Sequence, residues 1–369
     1  MTNAARLTID LDALAHNYRQ VCLEAQGAQV APVIKADGYG LGVGPIARRL
    51  SAEGARTFFV ARLSEGQALR RELNDREASI VVLDGLTHGD ASAMKASRLT
   101  PALTSLQQIK AWAEAADTPL PCYLHFDTGM NRLGLDLAQA AEAARLINAS
   151  PNLRLEVVMS HLSCAAQPDH PRNLEQLQCF HQVLNAFPGI PASLSASAGA
   201  FLGHDFRFDM VRPGICLFGG GPRETPDPSF RAVAILQAPV LQIRHVGAGQ
   251  SVGYGKMFTA PKPLSIAILG AGYADGVLRA LHDQGFASLN GKHVPFVIVT
   301  MDMIGVDITH CGDVQFGDMA ELLGPNVLLD DVAAAMDGTV AHEVLVRLSQ
   351  RAHRTYRSKS QGTARNTNA

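Results

Sequence analysis

From residue 29 to residue 211 the chain repeats one pattern: a short aliphatic or β-branched run, then a longer Ala/Leu/Gln-rich stretch with helical periodicity. The short runs are 29–34, 57–61, 79–83, 100–103, 122–126, 155–160, 192–195 and 210–211. Segments 64–73, 105–115, 136–147 and 173–187 lie between them and read as helices. Strands alternating with helices imply a parallel sheet whose crossovers are the helices. Eight such units within roughly 220 residues fit an α/β fold of the (β/α)8 TIM-barrel type better than an open doubly wound sheet.

After Gly219-Gly220-Gly221-Pro222 the texture changes. From 233 to 328 the apolar runs are short, alternating and punctuated by glycine, as in 240–243, 264–269, 294–299 and 319–323. Helical periodicity is weak there, which predicts a smaller, mainly-β second domain. The expected division is 1–228 for the barrel and 229–369 for the β domain. A last helix is expected through 332–336 and 342–349, and a polar tail from about 358.

Composition narrows the partners. With 18% charged residues and a formal charge of -2, nothing electrostatic favours nucleic acid or an anionic membrane. No apolar stretch is long enough to span a bilayer, and Leu7-Thr8-Ile9-Asp10 follows the start without a secretory apolar core. Cysteines 22, 122, 164, 179, 216 and 311 are scattered without a CxxC, so reduced thiols in a cytoplasm are expected.

Barrels gather reactive groups at the C-terminal ends of their strands. There this sequence places Lys35 and Tyr39, the stretch Asp127 to Arg132, His161, Ser197 and Arg212. Lys35 ends an aliphatic run and opens a glycine-rich turn; shielding there disfavours the ammonium, and a neutral amine can form a Schiff base. The loops after the seventh and eighth strands supply Ser195-Ala196-Ser197-Ala198-Gly199 and Arg212-Pro213-Gly214-Ile215, hydroxyls and glycine-flanked amides suited to a phosphate monoester. A Schiff-base lysine and a phosphate cup on one rim suggest pyridoxal phosphate. Glycines 38, 40, 42 and 44 do not have dinucleotide spacing, and the next strand ends Phe59-Val60-Ala61-Arg62 without an acid. His161, Cys164 and His170 match no standard metal spacing, so no metal is expected.

The motifs resemble those of the alanine racemases, fold-type III pyridoxal-phosphate enzymes. The likeness runs from Ile9-Asp10-Leu11-Asp12 to Arg354-Thr355-Tyr356. Its specific pieces are Val33–Gly40, Asp127–Gly134, Arg212–Ile215, Gly253-Tyr254-Gly255, Gly272-Tyr273-Ala274-Asp275-Gly276 and Met301-Asp302. The resemblance implies interconversion of L- and D-alanine, with Lys35 holding the cofactor and acting as one base and Tyr254 acting as the other. It implies that His161 and Arg212 form a cationic network, with Arg212 against the pyridine nitrogen, where a guanidinium discourages ring protonation. Arg132 would meet the cofactor's phenolic oxygen and the substrate carboxylate. Tyr39, Ser197 and the Gly214 and Ile215 amides would hold the phosphate. Tyr254, Tyr273 and Met301 would come from the second subunit of a head-to-tail homodimer, the Met301 amide meeting the substrate carboxylate. A racemase of broader or serine-type specificity, and a cofactor-binding homologue with little turnover, are the alternatives.

Four positions depart from the family pattern. His125 replaces a lysine, often carbamylated, that orients the arginine. Ala196 replaces an asparagine before the phosphate-loop serine. The run Val297-Ile298-Val299-Thr300-Met301-Asp302 lacks an arginine. His342 replaces a tyrosine that walls the substrate side chain, which predicts a roomier pocket tolerating serine.

Overall fold

The computed structural model describes residues 4–73, 78–87 and 89–358. The chain forms two compact units, one from Asn17 to Leu217 and one combining the chain before Asn17 with the chain from Phe218 onward.

The first strand, β1 (Arg6–Asp10), precedes the repeat. The barrel unit then carries β2 (Gln29–Val30), β3 (Thr57–Val60), β4 (Ser79–Val82), β5 (Thr100–Leu103), β6 (Leu120–His125), β7 (Leu153–Met159), β8 (Ala192–Ser193) and β9 (Met210–Val211). Strands β3 to β8 pair in sequence order as one parallel sheet, and β2 pairs in parallel with β9. Parallel bridges Val33–Phe59 and Ala196–Arg212 join the two pieces, so eight strands close on themselves. Run 29–34 pairs regularly only at Gln29 and Val30, because Pro32 has no N–H to give; its carbonyl instead accepts from the Phe59 amide at 2.8 Å.

Inward-facing residues fill the barrel. Ala31, Phe59, Val81, Ala102, Tyr123, Val157, Met159 and Met210 form one buried cluster. Small Ala31 and Ala102 leave room for Phe59 and Tyr123, whose rings meet edge to face with centroids 5.8 Å apart. Fully burying a ring of this size contributes about 2 kcal/mol. The interior is a packed core, and the chemistry is confined to its rim.

The other unit is built on β10 (Ala234–Val246), followed by β11 (Ser251–Val252), β12 (Phe258–Thr259), β13 (Leu264–Leu269), β14 (Phe286–Leu289), β15 (Lys292–Val299), β16 (Ile304–Asp307), β17 (Met319–Leu323) and β18 (His353–Arg357). The eight-stranded sheet runs β13-β16-β15-β14-β17-β10-β1-β18, and β10 also pairs with β13. Pattern alone reads residues 1–228 as one unit. In the structure β1 pairs antiparallel with β10 and parallel with β18, with Leu7 and Ile9 fully buried, so the opening segment groups with the later strands. The expected last helix is two short ones, Leu329–Ala334 and Ala341–Val346, with Gly338 at φ 75° between them. Beyond residue 358 the expected polar tail lies outside the described residues. Among the described residues no helix is long and apolar enough to cross a membrane.

Candidate active site

Lys35 follows fully buried Ile34 at the mouth of the barrel. The next five residues, Ala36 to Gly40, all adopt left-handed backbone, with φ of 52°, 53°, 62°, 57° and 79°. Such a turn costs about 1 kcal/mol or more for each residue that is not glycine, so it persists only if its surroundings fix it. Amides within it are satisfied: Gly38 N–H donates to the Ile34 carbonyl at 3.0 Å and Gly40 N–H to the Ala36 carbonyl at 2.7 Å. Val43 N–H donates to Asp37 Oδ1 at 2.8 Å. The turn buries Tyr39 and brings its hydroxyl against Gly214, where a Cβ would fall 2.1 Å from the oxygen. Only glycine fits there. Burial raises the Tyr39 pKa well above that of a free phenol, so the hydroxyl keeps its proton.

The loop after β9 is locked just as firmly. Arg212 is 2% exposed, and among the described residues no carboxylate appears as its hydrogen-bond partner. One guanidinium nitrogen donates to the Ser193 carbonyl at 2.9 Å and to Ser193 Oγ at 2.5 Å; the other donates to the carbonyls of Ser160 at 2.5 Å and Leu194 at 3.4 Å. Burial lowers its pKa to about 10, so it remains a cation at neutral pH. Ser197 Oγ accepts from the Gly214 and Cys216 amides at 2.9 and 3.3 Å. Tyr39, Ser197, Gly214 and Ile215 therefore form one small cup of hydroxyls and amides.

Cations crowd the same rim. Burial, then the Arg132 guanidinium, push the Lys35 amine below an ordinary lysine, opposed by Glu65 and Asp84. His161 is held well below the usual imidazole range by burial and by Arg212, Arg132, His125 and Lys35. His125 is pushed down to about 4 by burial and by Arg212 and Arg132, and its buried Nδ1 has no hydrogen-bond partner among the described residues. Buried positive charge beside an amine whose proton affinity is lowered suits an anionic aldehyde: the cup fits a phosphate and the lysine fits the carbonyl. Pyridoxal phosphate fits these residues.

Arg132 itself is exposed, and its loop is shaped by Asp127, whose carboxylate accepts from the amides of Gly129, Met130 and Arg132 at 2.7, 2.8 and 2.9 Å. Burial would raise the Asp127 carboxyl; these amides outweigh it and hold it low. Gln176 Nε2 donates to Thr128 Oγ1 and to the His161 carbonyl, tying the loops after β6 and β7 together. Gln176, Ser193 and Glu65 were not among the expected site residues. Nothing in their local sequence marks them, since each acts by reaching a distant backbone group.

Tyr254, Tyr273 and Met301 belong to the β unit and are 82%, 41% and 53% exposed. Tyr254 stands between Gly253 and Gly255 in a tight turn closed by Met257 N–H on its carbonyl at 3.1 Å. Tyr273 and Met301 are neighbours, because the Tyr273 and Ala274 amides donate to the carbonyls of Thr300 and Met301, both at 3.0 Å. Arg351 joins this corner by ion pairs to Asp275 and Asp302. His342 is exposed on the helix Ala341–Val346.

Comparison with known proteins gives a consistent picture. Residues 9–222 match the family described as alanine racemase, N-terminal domain, and residues 233–356 match alanine racemase, C-terminal domain. An alanine racemase of Methylobacterium nodulans is 42% identical, covering 96% of both chains. An enzyme of Agrobacterium fabrum named alanine racemase, biosynthetic, is 42% identical over 95% of this chain and 93% of its own. Among solved structures, alanine racemase from Bartonella henselae with covalently bound pyridoxal phosphate superposes with a TM-score of 0.91 at 35% identity, covering 96% of this chain and 100% of that one.

Proposed function

The chain belongs to the alanine racemase family, and we propose that it interconverts L- and D-alanine with pyridoxal 5'-phosphate, using Lys35 and Tyr254 as two bases. The observation that carries this reading is the Lys35 amine, depressed by burial beside a cup of hydroxyls and amides and a buried guanidinium. Bound there, the cofactor withdraws electrons from the substrate's α-carbon and so acidifies its proton.

Each side chain then has a physical task. Lys35 Nζ holds the cofactor and moves the α-proton on one face; Tyr254 Oη moves it on the other. Arg212, fixed by backbone oxygens, would meet the pyridine nitrogen with a charge that opposes ring protonation. His161, kept neutral beside it, extends that network without adding charge. Arg132 receives the substrate carboxylate with a planar fork. Tyr39, Ser197 and the amides of Gly214 and Ile215 hold the phosphate.

Tyr254, Tyr273 and Met301 expose large side chains to solvent in the single chain, which supports a homodimer whose sites are shared. In this reading Tyr254 of the partner subunit supplies the second base, and the partner's Met301 amide and the partner's Tyr273 line the substrate. Histidine at 342, smaller than tyrosine, leaves room for a serine side chain. Among the described residues none of the six cysteines is joined in a disulfide, which supports a reducing, cytoplasmic setting.

The test is to incubate the loaded protein with L-alanine in deuterium oxide, with L-serine in parallel. Expected are α-proton exchange and decay of optical rotation together, with serine slower than alanine. A steady rotation from a protein that carries its cofactor band would leave only the cofactor-binding alternative. Undetectable serine turnover beside fast alanine turnover would remove the roomier pocket.

A further inference from the structure

The left-handed turn after Lys35 has a clamp outside the cofactor cup. Its internal hydrogen bonds use the amides of Gly38, Gly40, Leu41 and Gly42. The Ala36 amide, next to the lysine, instead donates to Glu65 Oε1 at 3.0 Å. The other oxygen of the same carboxylate accepts from Ala61 N–H at 2.7 Å and Arg62 N–H at 3.3 Å. Glu65 lies in the first turn of the helix Leu63–Leu73, immediately beyond β3. One side chain thus ties together the end of β3, the start of that helix and the strained turn.

We propose that Glu65 is a positioning residue for Lys35: by gripping the Ala36 amide it holds the left-handed turn that aims the amine into the rim. Charge-assisted hydrogen bonds of this kind are about twice as strong as neutral ones, a scale that matches the cost of one non-glycine residue in the left-handed region. The charge has a second effect. Lys35 faces Arg132, Glu65, Asp84 and His161; Glu65 and Asp84 oppose the downward push of burial and Arg132. Asp84 shares that charge effect but is ion-paired to Arg62 at 3.8 Å and bonds no amide of the turn. The two carboxylates therefore separate clamp from charge.

The inference rests on Lys35 being the cofactor lysine, and the experiment tells the two apart. Full-length protein is stripped of cofactor with a carbonyl reagent and reloaded with pyridoxal phosphate while the visible band grows, across a range of pH. No band in the wild type would refute the lysine assignment itself. Given a band, Glu65→Gln is expected to slow its growth about tenfold, because misplacing a reacting group by an ångström has effects of that order or more. Its pH–rate profile should also move to lower pH, since less negative charge faces the amine. Asp84→Asn should move the profile the same way and keep the wild-type plateau rate. Glu65→Asp keeps the charge and shortens the reach, so it should slow reloading without moving the profile, and it serves if Glu65→Gln does not fold. A lower melting temperature in a Glu65 variant with wild-type reloading would overturn the proposal, as would equal plateau rates in Glu65→Gln and Asp84→Asn.

Discussion

Arg212 and Tyr254 are assigned to the same reaction, yet one is 2% exposed and the other 82%. The barrel rim is finished within one chain: the Arg212 fork is satisfied by the oxygens of Ser160, Ser193 and Leu194, and Ser197 by two amides of the next loop. The Tyr254 turn and the Tyr273–Met301 corner have sound backbone bonding but leave large side chains in water. A buried guanidinium without its oxygens would be costly, so that half has to be complete before anything binds. Exposed aromatics carry no such penalty, and their completion can be left to an association step. In the proposed reading cofactor holding is a folding property and the second base is an assembly property.

The sharpest way to break this contrast is Lys35→Ala, which should abolish both the visible cofactor band and racemisation; an intact band would remove the barrel half of the reading. Next in size, Tyr254→Phe should keep the band and lower α-proton removal from L-alanine by about 10²-fold or more, the usual scale for general-base catalysis. Removal from D-alanine should fall much less, and equal losses would undo the assignment of faces. Mixing the two inactive variants should then restore about a quarter of wild-type activity, because random pairing makes half the dimers hybrids with one whole site. No recovery, under conditions where subunits exchange, would mean that the two residues act within one chain.

The smallest effect concerns pH and belongs to the barrel alone. Buried His125 takes a proton only near pH 4, whereas in the unfolded chain it does so near 6.5. Between those values the unfolded chain binds the extra proton, so stability falls as pH drops, by up to about 3 kcal/mol from this residue. Urea unfolding at pH 6.5 and pH 4 should show a smaller drop in His125→Asn than in the wild type. Equal drops would show that His125 is not held neutral by burial and its cationic neighbours.

Much of this architecture is visible in the one-dimensional pattern. The eight runs of the barrel, the change of texture after Gly221 and the placement of Lys35, Arg212 and Ser197 at strand ends follow from periodicity and residue type. Other features are not. A two-residue regular pairing at β2 depends on what Pro32 cannot donate to a distant strand, and β1 reads as part of the barrel until its partners β10 and β18 are known. Glu65 looks like any acidic residue in a first helical turn, and Ser193 like a core filler.

Residue order alone decided which chemistry is on offer: an amine, a phenol, guanidinium groups, and glycines where a phosphate must come close. Those are properties of single side chains and of their immediate neighbours. Closure of the barrel decided what each group can do, because burial depresses Lys35, His125 and His161, and carbonyls aimed by distant strands hold Arg212. Proton affinity and orientation are set by neighbours in space, and these can lie fifty or more residues away in the chain, as Ser160 does at 52 positions from Arg212.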